Sequence, residues 1–318
     1  MTIALKKFLA LVGTMLAVSF LVFLVLEVNI QDVAVKVLGQ FSTDDQRHRW
    51  LAQNGYLDPF LIRYARWVGG FVTGHWGTST YYRTDIMELM LPRLGASGIL
   101  GLAAMLVMVP LSLGLGIIAG IREGSAADRT VSVAAIVTTS IPEFASAVFL
   151  TAIFVFGLHA LPGVSTMASG FHLNELVLPV AVLVLASAGY IARMTRASMV
   201  EVMGAHYIRT ARLKGAPLAR IIFRHALRNA LITPVTVIML QIPWLLSGVI
   251  VVEVFFAYPG FGTLLYQAAL NTDIYLIEAC AMVGVVVVVV TQILSDIFYA
   301  LLNPRISIGR APRIKAAA

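Results

Sequence analysis

Long apolar runs alternate along this chain with shorter polar connections. Six runs stand out: Phe8–Val28, Ser97–Ile121, Val131–Leu158, Leu176–Ala192, Ala230–Val252 and Ile277–Leu302. Crossing a hydrocarbon core of about 30 Å takes roughly 20 helical residues, so each run predicts a membrane span. An open sheet edge in lipid leaves backbone groups unpaired, which makes helices the only consistent element and the fold class all-α. The fourth run is the shortest, and an amphipathic turn around Glu175 extends it. Lys6 and Lys7 precede a run too long for a secretory leader, and no small-x-small cleavage site follows Val28. A retained anchor is therefore expected over 1–28. An outer region follows at 29–93, then a core of five spans at 94–305 and a short tail at 306–318.

Composition agrees with a polytopic membrane protein: 59% of residues are apolar, 12% are charged and the mean hydropathy is +0.88. Charge adds an orientation. With the N-terminus inside, the inner segments (the N-terminus, Arg122–Thr130, Arg193–Asn229 and the stretch after Asn303) hold 16 of the 23 Lys and Arg residues. The short outer loops His159–Glu175 and Glu253–Leu276 hold none. The other basic residues lie in Asn29–Arg93, a segment long enough to escape the positive-inside bias. Both termini are thus expected in the cytoplasm. The net charge of +7 reads as topology, since no aromatic-interleaved basic groove for nucleic acid accompanies it.

Candidate chemistry is sparse. Cys280 stands alone in an apolar stretch and reads as a small buried hydrophobe. The sequence has no HExxH, CxxC, phosphate-binding loop or GxSxG elbow. A membrane-embedded enzyme would need such a set, and an ion channel would show a carbonyl filter or an acidic ring.

The most informative polar segment is Glu201–Pro234. From Arg193 to Gly215 no proline intervenes and helix formers dominate, so the fourth span is expected to continue as helix. Gly215 suits a left-handed cap, and Pro217 suits the first turn of a second helix from Leu218 to about Ala230. Tyr207, Leu213, Ile221 and Phe223 are interleaved with Arg209, Arg212, Lys214, Arg220 and Arg224. That mixture suits either a snorkelling collar at lipid headgroups or a surface that enters a groove with acidic edges.

The stretch YIRTARLKG, followed by RHALRNALITP, resembles the signature loop of inner-membrane permease subunits of ABC importers, in the dipeptide/oligopeptide/nickel branch. In the general pattern (EAA, three residues, Gly, nine residues, I-x-LP) the glycine falls on Gly215 and the small pair on Thr210 and Ala211. Arg209 replaces the Glu, and His225, Leu227 and Arg228 occupy the I-x-LP positions, departures that fit the peptide branch. Tyr56-Leu57-Asp58-Pro59, Tyr64, Trp67 and Gly74–Ser79 are similar to the family's first outer region, with His75 in place of an acid. Ser140–Phe144, Leu161-Pro162-Gly163, the stretch from Val251 to Gly262 and Asn303-Pro304-Arg305 match further motifs, whereas Ile30–Leu51 matches none.

The resemblance implies a permease with six transmembrane helices and a coupling helix around Tyr207, Arg209, Thr210, Ala211, Arg212, Lys214, Gly215, Ala216 and Pro217. That segment would dock on one of two separate ATP-binding subunits, which carry the ATP and Mg. This chain needs no cofactor or metal of its own. A second homologous permease subunit and a periplasmic substrate-binding protein complete the expected complex in a bacterial inner membrane. Glu143, Gln241 and Glu253 are candidates for the substrate path, because polar residues inside a membrane are functional by default. In a straight third span Glu143 lies roughly 18 Å from the inner end, near the midplane. Gln241 is at similar depth beside Pro243, and Glu253 comes near the outer mouth, where water can solvate it. Alternatively, Glu143 is held inside the bundle to satisfy the backbone group that Pro142 frees. In Asn29–Arg93, seven Trp and Tyr residues (Trp50, Tyr56, Tyr64, Trp67, Trp76, Tyr81, Tyr82) suit a surface on headgroups or a scoop for a partner protein.

Overall fold

The computed structural model describes residues 3–27, 30–168 and 170–302. Among them regular structure is helical, apart from one antiparallel bridge between Thr78 and Asp85. Asn303-Pro304-Arg305 and the 306–318 tail lie outside the described residues, as do the side chains of Pro243 and Asp296. The chain forms two compact units, Met1–Ser97 with Pro259–Val290, and Gly98–Tyr258 with Thr291–Ala318.

The first unit is built on α1 (Ile3–Glu27), α2 (Ile30–Leu38), α3 (Asp44–Gln53), α4 (Phe60–Val72), the start of α5 (Ile86–Ile121), α14 (Phe261–Leu270) and the first part of α15 (Ile274–Leu302). Short α3 is fixed by a capping box: the Thr43 hydroxyl accepts from the Gln46 N–H and the Gln46 side chain accepts from the Thr43 N–H. Aromatic rings join α1 to α4, with Phe20 5.6 Å from Phe60 and Phe23 5.3 Å from Trp67. Asp273 caps α15 by accepting from the Leu276 N–H at 3.3 Å, and it also accepts from the Ser79 hydroxyl and the Tyr81 N–H. Cys280 is buried in the cluster of Ile86, Met90, Leu264 and Leu276, the hydrophobic place expected of it.

The second unit holds the rest of α5, α6 (Ala126–Ser140), α7 (Glu143–Thr151) and its π-helical extension to Gly157, α8 (Leu173–Met203), α9 (His206–Leu213), α10 (Leu218–Arg220), a π-turn at Ile221–Ala226, α11 (Leu227–Ala230), α12 (Ile232–Gly248) and α13 (Ile250–Phe255). Small residues let helices touch at backbone distance, the usual device where apolar lipid supplies no drive for association. A Cβ on Gly189 of α8 would stand 2.6 Å from the Ala135 carbonyl of α6, and one on Gly116 of α5 would stand 2.5 Å from the Ala192 carbonyl of α8. Ser295 of α15 donates to the Met239 carbonyl of α12 at 3.0 Å.

Three described helices are long and apolar enough to cross a membrane: Ile86–Ile121, Leu173–Met203 and Ile274–Ser295. Two more spans arise if bent pairs are each taken as one, Ala126–Ser140 with Glu143–Gly157 at 103° and Leu218–Ala230 with Ile232–Ile242 at 49°. The apolar part of α1, Val12–Glu27, is shorter. The straight third span expected from hydropathy is therefore broken, whereas the 49° bend falls where the expected second loop helix feeds the fifth span. In the third, Ile141 is extended (φ −88°, ψ 123°), the conformation that a following proline favours. The fourth helix, Leu173–Met203, includes the expected extension around Glu175 and continues past Ala192.

Candidate functional site: a basic elbow

The helix leaving α8 stops at Gly204 rather than running on to Gly215. Gly204 lies in the helical region, but Ala205 turns extended (φ −67°, ψ 147°) and α9 restarts at His206. No proline marks this corner, so composition alone predicts continuity.

The second corner forms as its residues dictate. Lys214 caps α9 and Gly215 follows at φ +73°, a left-handed conformation that costs an L-residue about 1–2 kcal/mol. The Gly215 N–H donates to the Arg212 carbonyl at 3.0 Å and the Ala216 N–H to the Ala211 carbonyl at 3.2 Å, the paired bonds of a Schellman motif. A Cβ on Gly215 would meet nothing within 4 Å, so backbone conformation and not space selects glycine there. Pro217 then sits at the N-cap of α10 (φ −64°, ψ 147°), one position before the first turn.

Only one side of this elbow faces the protein. Ile208 and Ile221 are buried with Met199, Ala226 and Ala230, and Ala211 and Ala216 pack against that cluster. Ile221, expected on the interleaved surface, is instead core at 1% exposure. Leu213 and Phe223 are 82% and 75% exposed, and Tyr207 and Leu218 are exposed beside them. Arg209, Thr210, Arg212, Lys214, Gly215 and Pro217 are exposed as well. The Tyr207 hydroxyl accepts from Asn229 Nδ2 at 3.0 Å, which ties the start of α9 to the end of α11.

Two braces hold the foot of the elbow. Ser198 of α8 donates to the Ala230 carbonyl at 2.8 Å. Asp128 of α6 pairs with Arg196 of α8 through both Nε and Nη2, while Asp128 Oδ2 also accepts from the Gly124 N–H at 2.9 Å. Neither brace was expected, yet Ser125-Ala-Ala-Asp128 carries the capping-box spacing that places Asp128 at the start of α6.

The three polar candidates for a path lie in the second unit and differ in setting. Glu143 opens α7, the first residue after Pro142, and is half-buried with no hydrogen-bond or ion-pair partner among the described residues. Because the chain turns by 103° before it, its depth does not follow from counting residues along a straight helix. Gln241 is half-buried in α12. Glu253 is 1% exposed on α13, so this chain buries it away from the water expected to solvate it. Tyr258 lies close by, its hydroxyl pushed up to about 12 by burial and by the Glu253 charge, and its N–H donates to the Glu253 carbonyl at 2.8 Å. Among the described residues no three His, Cys, Asp or Glu side chains come together as a metal ion would require.

Residues 112–308, which contain the elbow and all three polar candidates, match the model of the family described as binding-protein-dependent transport system inner membrane component. The chain is 30% identical over 308 residues to the oligopeptide transport system permease protein AppB of Bacillus subtilis, covering 95% of this chain and 98% of that one. It is 30% identical over 330 residues to the dipeptide transport system permease protein DppB of Escherichia coli K12, covering 95% and 97%. A probable peptide ABC transporter permease protein of Sinorhizobium fredii is 28% identical over 306 residues, covering 95% and 98%. Matched along nearly its whole length, and carrying its apolar helices and its elbow in the matched region, this chain belongs to the family of binding-protein-dependent transport system inner-membrane components, as a multi-pass permease.

Proposed function

We propose that this chain is one membrane-spanning subunit of an ATP-driven importer that moves peptides across a bacterial inner membrane. Relatives named for oligopeptide and dipeptide transport align with nearly all of it, which favours peptides over the nickel-type cargo of the same branch. α1 supplies the sixth span, the termini and the elbow face the cytoplasm, and 29–93 faces the periplasmic binding protein. Hydrolysis belongs to two separate subunits that bind ATP and Mg. The present chain moves cargo between itself and a second permease without chemistry of its own.

The observation that carries this reading is the elbow's outward face, where Leu213 and Phe223 stand exposed among arginines. Apolar anchors ringed by charge are what a docking surface needs. Closure of the ATPases pushes on α9 and α10, and the small-residue contacts of α8 with α5 and α6 pass the displacement into the spans. Glu143 then offers a carboxylate to the amino group of a peptide, and Gln241 offers hydrogen bonds to its amides.

Isolation of the tagged chain from its native membrane tests the docking role. Stoichiometric nucleotide-hydrolysing subunits are expected with it, and their absence refutes the assignment. Glu143→Gln is expected to change uptake affinity or selectivity with assembly intact. A fall in protein level alone makes the residue structural.

A further inference from the structure

In the first unit, α1 ends at Glu27 and α15 begins at Ile274, so the ends of two apolar helices come together beside α4. Glu27 pairs there with Arg63, both buried, and the guanidinium lies 5.5 to 5.8 Å from the ring centroids of Phe23, Tyr56 and Phe60. Glu278, one turn into α15, is 2% exposed. Its Oε1 is buried without a hydrogen-bond partner, and so is Arg63 Nε. Both residues line a single cavity of about 170 Å³, walled by the rings of Tyr56, Trp67, Phe71, Trp76 and Tyr275.

Two arginines and two glutamates line that wall, but their pairing leaves one acid over. Arg63 is taken by Glu27, and Arg66, also on the wall, is taken by Asp58 at 2.6 Å. The His75 ring is engaged with the Thr73 hydroxyl at 3.1 Å. Glu278 is left as an acceptor with no counter-ion. A carboxylate buried in that state is costly, and aromatic faces attract cations, so the cavity is complementary to a positive group. Arg63 Nε, a donor, adds a demand for an oxygen next to that group. The volume is several times the roughly 30 Å³ that one water occupies in the liquid.

We propose that this cavity binds the ammonium group of a small amino alcohol, with Glu278 as counter-ion, the rings as a cation–π wall and Arg63 Nε donating to the ligand's oxygen. Two sources share this chemistry, a free amine and the headgroup of an aminophospholipid. The second fits a cavity at the ends of apolar helices, where headgroups lie.

Ethanolamine titrated into the detergent-purified full chain, followed by tryptophan fluorescence from Trp67 and Trp76, tests the free-amine source. Ethylene glycol, an uncharged isostere, serves as control. Mass spectrometry of protein taken from phosphatidylethanolamine or phosphatidylglycerol nanodiscs tests the headgroup source. A saturable response to ethanolamine but not ethylene glycol, or selective retention of phosphatidylethanolamine, supports the site and names its source. Glu278→Gln is expected to weaken either signal at least ten-fold. Equal responses to both probes with no lipid selectivity, or no signal in either arm, overturns the proposal. A folded Glu278→Gln that binds like the parent also overturns it. If that variant fails to fold, the charged-versus-uncharged comparison on the parent chain still decides. Neither arm needs ATP or another subunit, so failure here is separate from failure of the transport assignment.

Discussion

The segments 44–82 and 205–224 look alike in sequence, each a polar stretch studded with large side chains beside an apolar run, yet they use those side chains in opposite ways. In the first, the aromatic residues are spent inward: Trp50 stacks on Tyr56, Trp76 on Phe71, and Tyr64 and Trp67 pack on Phe23, which leaves only Tyr81 of the seven Trp and Tyr residues exposed. In the second, the core is Met199, two isoleucines and two alanines, and Leu213 and Phe223 point away from it. Density of aromatic residues therefore does not identify a contact surface. What does is a set of large side chains left over after the local core is complete. A change in the aromatic segment is expected to act through stability, and one at the elbow, under the proposed docking, through contact with an ATPase.

The contrast breaks most readily at Arg63. Its replacement by Ala leaves Glu27 buried without its partner, and removing one member of a buried pair costs about 3–5 kcal/mol. Chemical denaturation followed by tryptophan fluorescence is expected to show a loss of that size. Removing both charges together, as Glu27→Leu with Arg63→Met, recovers much of it. If Arg63→Ala is neutral, the first unit is not held by this pair and the contrast fails on that side.

At the elbow, Gly215→Pro removes the N–H that donates to Arg212 and cannot adopt φ +73°, a mismatch that costs more than about 1 kcal/mol. The expected result is a chain that inserts but no longer couples ATP hydrolysis to uptake, read as hydrolysis and transport measured on the same vesicles. Normal uptake with normal ATPase stimulation refutes the lever. Gly215→Ala keeps the N–H and meets no neighbour, so only the left-handed conformation is penalised, by about 1–2 kcal/mol. Partial coupling between glycine and proline is expected.

Much of this was legible in the sequence, because it depends on neighbours along the chain. The helical class follows from apolar runs in lipid, and the Gly215–Pro217 corner from the residue that most readily adopts φ +73° and the one that restarts a helix. Longer-range facts were not. Pro142 reads equally as a kink or a break, and the fold makes it a 103° turn. Interleaving with arginines places Ile221 on the surface, whereas the fold packs it with Met199 and Ile208 from the preceding helices. The buried company of Glu278 depends on residues distant in sequence. Gly204 ends α8 without any breaker beyond its own weak helix propensity.

The smallest effect on the fold is expected at Leu213, and it separates the two regions most cleanly. Leu213 ends α9 with 82% of its surface exposed, so Leu213→Ser removes almost no packing inside the chain. Surface changes away from caps and cores stay within about 0.5 kcal/mol, and the denaturation midpoint should hardly move. If the elbow inserts into a groove on an ATPase, the same change strips an apolar anchor from the centre of that contact, where truncations often cost more than 1 kcal/mol of binding. Co-purification of the ATPase should then fall several-fold while the isolated permease melts as before. A matched change in the aromatic segment, Trp67→Ser, should do the reverse, lowering the midpoint and leaving ATPase recovery per folded chain unchanged. If Leu213→Ser keeps full ATPase recovery, the exposed side chain rests in headgroups and the elbow is a collar, not a lever.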